Sequence, residues 1–263
     1  METLNIIKLG GAVIENDSML DDFLKSFASL GQKKILVHGG GLVATEIGNK
    51  LGLEAKKIEG RRITDADYLE VVTMVYGGLL NKKIVAKLQS HGCMALGLTG
   101  ADGDYLRSMK RQPMKGVDFG FVGDPVNTRT FFLHKLVEDK IVPVAAPLTH
   151  DGNGQLLNTN ADTIASTIAA AMSENYQVNL IYAFELEGVM EDLNDSSSLL
   201  QSLDMKTYTK LKNEKLIFDG MIPKLDNAFD AIAKGAHSVK IVKYNCIDKL
   251  DNPGFNQYTN IQS

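Results

Sequence analysis

Short apolar runs alternate with longer amphipathic stretches along most of the chain, and this alternation limits the possible folds more than any other feature. Such runs are typical of strands covered on both faces, and the stretches between them have helical spacing. The order strand, helix, strand predicts parallel strands joined by crossover helices. We therefore predict an α/β fold, a three-layer αβα sandwich around a mainly parallel open sheet. The predicted strands are residues 4–9, 34–38, 94–98, 141–146, 178–183 and 238–242.

The stretches between the strands predict helices. The longest of them, residues 65–90, contains Gly77-Gly78 near its middle. Because each glycine lowers helix stability by ~1 kcal/mol, we predict a kink or break there, and we expect this helix to pack against a second subunit. The other predicted helices are residues 19–30, 42–51, 129–139, 162–173, 206–213 and 220–233.

Composition excludes several classes of function. The net charge of -4 provides no basic surface for nucleic acid or an anionic membrane. No apolar run approaches the ~20 residues that span a bilayer. Cys93 and Cys246 lack the spacing of a disulfide framework or a zinc site, so we expect buried thiols. The sequence predicts a cytoplasmic protein without nucleic-acid or membrane partners.

Two glycine turns each follow a predicted strand. The first contains Gly10 and Gly11 after Lys8, and the second is Gly39-Gly40-Gly41 after His38, which we expect to be structural. Glycine lets backbone N–H groups approach an anion, and a following helix adds partial positive charge. Either turn alone is more often a simple tight connection, but the two together favour binding of a polyanion. The P-loop class is excluded, because the chain has no Gly-Lys dipeptide.

A dinucleotide-binding site is an open alternative. Gly39, Gly41 and Ala44 match the pattern G-x-G-x-x-A after a strand, with Glu59 as a possible ribose ligand. This interpretation predicts a nicotinamide-dependent oxidoreductase. It leaves the first glycine turn without a role.

Two further segments combine polar residues with a helix start. Asn158, Asn160 and Asp162 alternate, which places their side chains on one face of an extended segment, although Asn160 could also be a helix N-cap. Lys224 follows a third glycine turn, Asp219-Gly220, within the first turns of a predicted helix. A lysine there opposes the helix dipole, and an anionic ligand would account for it.

Together these residues resemble the amino acid kinase family, and within it the branch that acts on N-acetylglutamate. The motifs are I-I-K-L-G-G at residues 6–11, V-H-G-G-G at 37–41, G-R-R-I-T at 60–64, N-x-N-A-D at 158–162 and D-G-M-I-P-K at 219–224. The resemblance implies the amino acid kinase fold, with residues 1–174 binding the acylglutamate and carrying the dimer surface, and residues 175–263 binding ATP. Where the family commonly has L-T-D-V-x-G-V, this chain has residues 183–189 as A-F-E-L-E-G-V, and its tail lacks the usual Gly-Thr.

The resemblance also implies a role for each matching residue. Lys8 and Lys224 would stabilise the transferring phosphoryl group while Asp162 holds them in position. The acylglutamate would bind Gly40, Gly41, Arg62, Asn158 and Asn160, with Arg62 on its α-carboxylate. The nucleotide would bind Gly10, Gly11, Glu185, Gly188, Val189, Met190, Phe218 and Asp219.

The implied activity is ATP-dependent phosphorylation of the γ-carboxylate of N-acetyl-L-glutamate, or of a related substrate such as N-succinyl-L-glutamate, in arginine biosynthesis. ATP and Mg²⁺ would be required, with the metal held mainly by the ATP phosphates. A family member acting on another carboxylate or phosphate, or a noncatalytic amino-acid sensor, is an alternative. Because the chain starts at its first strand, we expect a homodimer without arginine inhibition.

Overall fold

The computed structural model describes residues 1–58, 61–192, 195–214, 216–217 and 221–262. Its strands are β1 (Thr3–Leu9), β2 (Lys33–His38), β3 (Lys57–Ile58), β4 (Arg61–Arg62), β5 (Ala95–Leu98), β6 (Leu106–Lys110), β7 (Gly123–Thr128), β8 (Val142–Ala145), β9 (Leu148–His150), β10 (Leu156–Asn158), β11 (Gln177–Phe184), β12 (Ser202–Leu203), β13 (Ser238–Lys243) and β14 (Tyr258–Ile261). Its α-helices are α1 (Gly11–Glu15), α2 (Asp17–Ser29), α3 (Gly41–Lys50), α4 (Ala66–Val72), α5 (Asn81–Ser90), α6 (Thr130–Glu138), α7 (Ala161–Met172), α8 (Met205–Asn213) and α9 (Ile222–Ala233). A π-helical segment, Thr73–Leu80, joins α4 to α5, and short 3-10 helices occupy Asp102–Asp104, Ser196–Ser198 and Tyr244–Lys249.

The predicted strands are confirmed as β1, β2, β5, β8, β11 and β13, each to within one residue at either end. The side chains of β1, β2, β8 and β11 are largely buried, as expected for strands covered on both faces. No apolar run in the sequence predicts β7, β9 and β10, which are short and partly polar.

The contacts of the chain divide it into two compact units. Unit 1 contains Met1–Ile35 and Ala165–Ser263, and unit 2 contains Leu36–Ile164. This division differs from the predicted boundary near Asn175, because β1 pairs in parallel with β11 along its whole length. Which part of the chain binds which substrate stays a prediction.

Within unit 1 the strand order is β12-β14-β13-β11-β1. The pairs β1/β11, β11/β13 and β12/β14 are parallel, and β13/β14 is antiparallel. Helix α2 buries Leu20, Phe23, Leu24 and Phe27, an i, i+3, i+4, i+7 pattern. Lys34 Nζ caps the C-terminal end of this helix, where it donates to the carbonyl oxygens of Phe27, Ala28 and Leu30.

Unit 2 contains the second half of β2 together with β8 and β5, and these parallel strands have the order β2-β8-β5. A second sheet has the order β10-β9-β6-β7, and β3 pairs with β4. The mainly parallel α/β architecture predicted from the sequence is thus confirmed.

The predicted helix at residues 65–90 is interrupted around Gly77-Gly78 by a change of helix type. α4 ends at Val72, the π-helical segment contains both glycines, and α5 follows it, so the chain stays helical throughout. A Cβ atom on Gly77 would lie 3.4 Å from Leu148 Cδ1 and 3.6 Å from Thr99 Cγ2, which is ordinary van der Waals contact. The kink at these glycines stays a prediction.

Two expectations from composition concern the whole chain. No helix among the described residues is long and apolar enough to cross a membrane. Cys93 and Cys246 are both buried, as predicted.

Candidate active site

The glycine turn between β2 and α3 has a backbone that other residues rarely adopt. Gly40 has φ +149°, and a Cβ atom there would lie 2.3 Å from Leu80 Cδ1 and 3.2 Å from Tyr76 Cδ1. Both neighbours belong to the π-helical segment. Glycine at position 40 is therefore required by conformation and by packing.

The side chain of His38 forms a hydrogen bond with the backbone of this turn. Its Nδ1 atom lies 2.8 Å from the carbonyl oxygen of Gly39, and its Nε2 atom lies 3.2 Å from Asn81 Nδ2. Asn81 Nδ2 also donates to the carbonyl oxygen of Val144 at 2.9 Å. Burial lowers the pKa of His38 to about 4. The neutral tautomer that donates from Nδ1 and accepts at Nε2 satisfies these contacts, which supports the structural role expected for this histidine.

Arg62 is fixed against the same turn by one arm of its guanidinium group. Its Nη2 atom donates to the carbonyl oxygen of Gly41 at 2.6 Å and to Thr45 Oγ1 at 2.7 Å. The guanidinium carbon lies 4.7 Å from the centre of the Tyr68 ring. Two hydrogen bonds and a stacked aromatic ring therefore set the orientation of the side chain.

The other arm of Arg62 has a different environment. Its Nη1 atom is buried and has no hydrogen-bond partner among the described residues. Burial raises the pKa of Tyr76 to about 12, although the adjacent Arg62 charge opposes this shift. Because an unsatisfied buried donor is costly, this arrangement is that of a preformed binding site in which an anion would accept the hydrogen bond. A carboxylate is the group whose geometry a guanidinium matches.

The predicted polar segment serves partly as a helix cap. Asn160 Oδ1 accepts from the backbone N–H groups of Asp162 at 2.8 Å and Thr163 at 3.0 Å, so Asn160 begins α7. Asp162 is buried in the first turn of this helix. Asn158 Nδ2 donates to Thr64 Oγ1 at 2.9 Å, which links the end of β10 to the segment that follows Arg62.

The first glycine turn lies in unit 1 and is more open. Lys8 is buried near the end of β1, in register with Tyr182 of β11. The N–H group of Gly10 donates to the carbonyl oxygen of Ala183 at 2.8 Å, and a Cβ atom on Gly10 would lie 2.9 Å from Phe184 Cβ. No described atom lies within 4 Å of the Cβ position of Gly11.

The predicted nucleotide residues after β11 lie in the same unit. Glu185 is exposed, Gly188 and Val189 are buried, and Met190 is intermediate. Lys224 occupies the first turn of α9, next to a proline that favours a helix start. Four residues named in the sequence predictions lie outside the described residues: Glu59, Phe218, Asp219 and Gly220.

The structure brings Gly40, Gly41 and Arg62 together in unit 2. Sequence reasoning missed the residues that organise this cluster, namely Thr45, Tyr68 and Tyr76. Both tyrosines lie within the predicted helix at residues 65–90, and no sequence motif distinguishes them. Among the residues that the structure describes, no group of three His, Cys, Asp or Glu side chains is placed to hold a metal ion.

A model of the amino acid kinase family matches residues 3–243. The chain belongs to this family. It is 54% identical over 252 residues to an acetylglutamate kinase of Cytophaga hutchinsonii, with 96% of each chain covered. It is 51% identical over 240 residues to an acetylglutamate kinase of Bacteroides fragilis, covering 91% of this chain and 92% of the relative.

Solved structures share the fold. The crystal structure of N-acetylglutamate synthase from Neisseria gonorrhoeae with coenzyme A and N-acetyl-glutamate matches 100% of this chain and 59% of that one, with a TM-score of 0.82 and 19% identity. A likeness at this identity concerns the fold alone. Together with the family match, it confirms the predicted αβα fold of the amino acid kinases.

Proposed function

We propose that this chain phosphorylates the γ-carboxylate of N-acetyl-L-glutamate with ATP, a step of arginine biosynthesis. Relatives that are about half identical over almost the whole chain carry the name acetylglutamate kinase. The observation that carries the proposal is the buried, unpartnered Nη1 atom of Arg62 beside the Gly40-Gly41 turn. It supports binding of the α-carboxylate of an acylglutamate. Family membership favours a kinase over the nicotinamide-dependent alternative.

The reaction requires no general base. A γ-carboxylate is already ionised at neutral pH, so one of its oxygens attacks the γ-phosphorus while the bond from that phosphorus to the β–γ bridging oxygen breaks. ADP leaves, and an acyl phosphate forms. Rate acceleration then depends on aligning the two reactants and offsetting charge on the transferring group.

We assign this charge compensation to Lys8 and Lys224, with Asp162 as the residue that positions the two ammonium groups. Lys8 ends a buried strand and Lys224 lies in the first turn of a helix, so both side chains start from rigid elements. Backbone N–H groups of Gly10 and Gly11 would contact the ATP phosphates. Mg²⁺, held mainly by those phosphates, would neutralise charge on the nucleotide.

The assignment of the remaining substrate contacts follows the family motifs. Gly40, Gly41, Asn158 and Asn160 would bind the acylglutamate, and Glu185, Gly188, Val189, Met190, Phe218 and Asp219 would bind the nucleotide. For Asn160, the cap of α7 occupies the side-chain oxygen. Its amide nitrogen is then the group that we assign to the substrate.

A hydroxamate assay tests this function. The protein is incubated with MgATP, N-acetyl-L-glutamate and hydroxylamine, which attacks the acyl phosphate carbonyl and releases phosphate, and the hydroxamate is measured by its colour with ferric ion. We expect product that depends on both substrates. Absence of hydroxamate from N-acetyl-L-glutamate and N-succinyl-L-glutamate alike would refute the proposal, and a parallel assay of both decides which acyl group is preferred.

We also propose that the chain forms a homodimer in the cytoplasm and is not inhibited by arginine. Met74 and Leu79 of the π-helical segment are 54% and 52% exposed, which supports a subunit contact on this helix. Light scattering during gel filtration would measure the assembly, with Leu79→Glu expected to yield monomers. A hexamer, or inhibition of the kinase by arginine, would contradict this part of the proposal.

A further inference from the structure

The loop that follows β11 is joined to the region around Leu200 by an unusual hydrogen-bond arrangement. The N–H group of Leu200 donates to the carbonyl oxygen of Val189 at 2.9 Å, and Met190 forms an antiparallel bridge with Leu199. Met190 and Leu199 form a non-hydrogen-bonded pair, and in a regular antiparallel ladder the neighbouring pair, Val189 and Leu200, exchanges both of its N–H···O bonds. Here the return bond, from Val189 to Leu200, is not made directly.

The hydroxyl group of Thr259 takes the place of that bond. The N–H group of Val189 donates to Thr259 Oγ1 at 2.8 Å, and Thr259 Oγ1 donates to the carbonyl oxygen of Leu200 at 2.6 Å. Thr259 belongs to β14 and is fully buried. The hydroxyl group thus accepts one hydrogen bond and donates another, so the N–H group of Val189 and the carbonyl oxygen of Leu200 both have a partner. Its position between them keeps the two backbone segments apart.

The backbone of Gly188 packs closely against the same hydroxyl group. A Cβ atom on Gly188 would lie 2.5 Å from Thr259 Oγ1, 2.7 Å from Leu199 Cδ1 and 3.0 Å from the backbone nitrogen of Thr259. Glycine at 188 is thus required by the close approach of β14. The backbone of residues 188 and 189 rests directly on Thr259.

From these contacts we propose that Thr259 is a positioning residue for the nucleotide: its hydroxyl sets the distance between Val189 and Leu200 and so fixes the loop at residues 185–190 that contacts ATP. This role rests on the proposed function, which assigns the loop to ATP. Without the hydroxyl, either Val189 N–H and Leu200 C=O stay buried without partners, or the two segments close to a direct bond. In either case the backbone that faces the nucleotide changes.

Three substitutions separate the hydroxyl from the volume of the side chain. Thr259→Ser keeps the hydroxyl group. Thr259→Val removes the hydroxyl group and keeps the shape of the side chain. Thr259→Ala leaves space in which a water molecule can replace the hydroxyl group. Thr209→Val is the matched control, because the Thr209 hydroxyl donates to the carbonyl oxygen of Met205 on an exposed helix of the same unit. Thermal unfolding identifies the variants that remain folded.

The dissociation constant of MgATP, measured by calorimetry on the full chain without acylglutamate, tests the proposal. We expect Thr259→Val to weaken binding about tenfold, the factor that loss of one buried hydrogen-bond partner corresponds to. Thr259→Ser and Thr209→Val should bind like the original chain, and Thr259→Ala should fall between. If Thr259→Val does not fold, the step from Thr259→Ser to Thr259→Ala provides the same comparison.

Steady-state kinetics supply a second readout. Thr259→Val should raise the KM for ATP and leave the KM for N-acetyl-L-glutamate unchanged, whereas a merely structural role would lower the active fraction without changing either KM. Unaltered MgATP binding in a folded Thr259→Val or Thr259→Ala variant would overturn the proposal. Normal MgATP binding without hydroxamate formation would instead refute the proposed substrate and leave the role of Thr259 supported.

Discussion

The two glycine turns have similar sequences but different structural requirements. At Gly40 the backbone has φ +149°, and Leu80 and Tyr76 fill the space that a side chain would need. At Gly11, in the other unit, the residue begins a helix, and no described atom lies within 4 Å of its Cβ position. Conformation and packing therefore require glycine at position 40, whereas no contact among the described residues requires it at position 11. The comparison teaches that Gly11 is the better indicator of a ligand.

The greatest loss of activity is expected from Lys8, which precedes the Gly10-Gly11 turn. Lys8→Ala should lower kcat by about 10³ with a modest change in KM, because this charge acts mainly in the transition state. Lys224→Ala should behave in the same way. Hydroxamate formation measures both, and Lys234→Ala, which changes an exposed lysine paired with Asp230, is the control. Near-normal turnover of either variant would remove that lysine from the catalytic assignment.

A smaller effect is expected from Arg62, which donates a hydrogen bond to the Gly39-Gly40-Gly41 turn. Arg62→Ala should raise the KM for N-acetyl-L-glutamate by about 10² and affect the KM for ATP little, since a buried charged hydrogen bond to the substrate is lost. Arg129→Ala is the matched control, because Arg129 is half-exposed and its partner Asp104 keeps two bonds from Arg107. An equal rise in both KM values would show that Arg62 has no specific role in acylglutamate binding.

The comparison of the turns itself is tested by two alanine substitutions. Gly40→Ala should lower the free energy of unfolding by about 3 kcal/mol, through backbone strain and overpacking. Gly11→Ala should leave it unchanged or raise it slightly, yet lower kcat/KM for ATP about tenfold, because a methyl group would stand where phosphate approaches. Urea unfolding and initial rates measure the two quantities. Destabilisation by Gly11→Ala of the same size as by Gly40→Ala would contradict the contrast.

A weaker effect is expected on the pH dependence of the free energy of unfolding, through His38 before the Gly39-Gly40-Gly41 turn. The pKa of His38 is lowered to about 4 from its ordinary value of 6.5, so between these pH values the unfolded chain binds a proton that the folded chain excludes. The free energy of unfolding should therefore fall as pH decreases through this window, by about 2 kcal/mol from His38 between pH 6.5 and 5. His38→Gln should reduce this dependence in urea unfolding measured at both pH values. An unchanged pH dependence in His38→Gln would show that His38 does not titrate in this way.

The sequence predicts the main strands and helices well because buried parallel strands are continuous apolar runs and amphipathic helices have a strong periodic pattern. The family resemblance groups Gly40, Gly41 and Arg62 as ligands of the acylglutamate, which stays a prediction, and in the structure Arg62 Nη2 donates to the carbonyl oxygen of Gly41. The roles of Tyr76 and Thr259 were not predictable, since each acts through a contact with a residue far away in the chain. At Gly77-Gly78 local propensity predicts an interruption of the helix, but not its form, which is the π-helical segment.

The most direct test of the account is a crystal structure of the chain with N-acetyl-L-glutamate, Mg²⁺ and a non-hydrolysable ATP analogue. We predict that the α-carboxylate accepts a hydrogen bond from Arg62 Nη1, and that the Nζ atoms of Lys8 and Lys224 both contact the γ-phosphate opposite the γ-carboxylate. An acylglutamate bound away from Arg62, or a γ-phosphate that neither lysine reaches, would contradict the account.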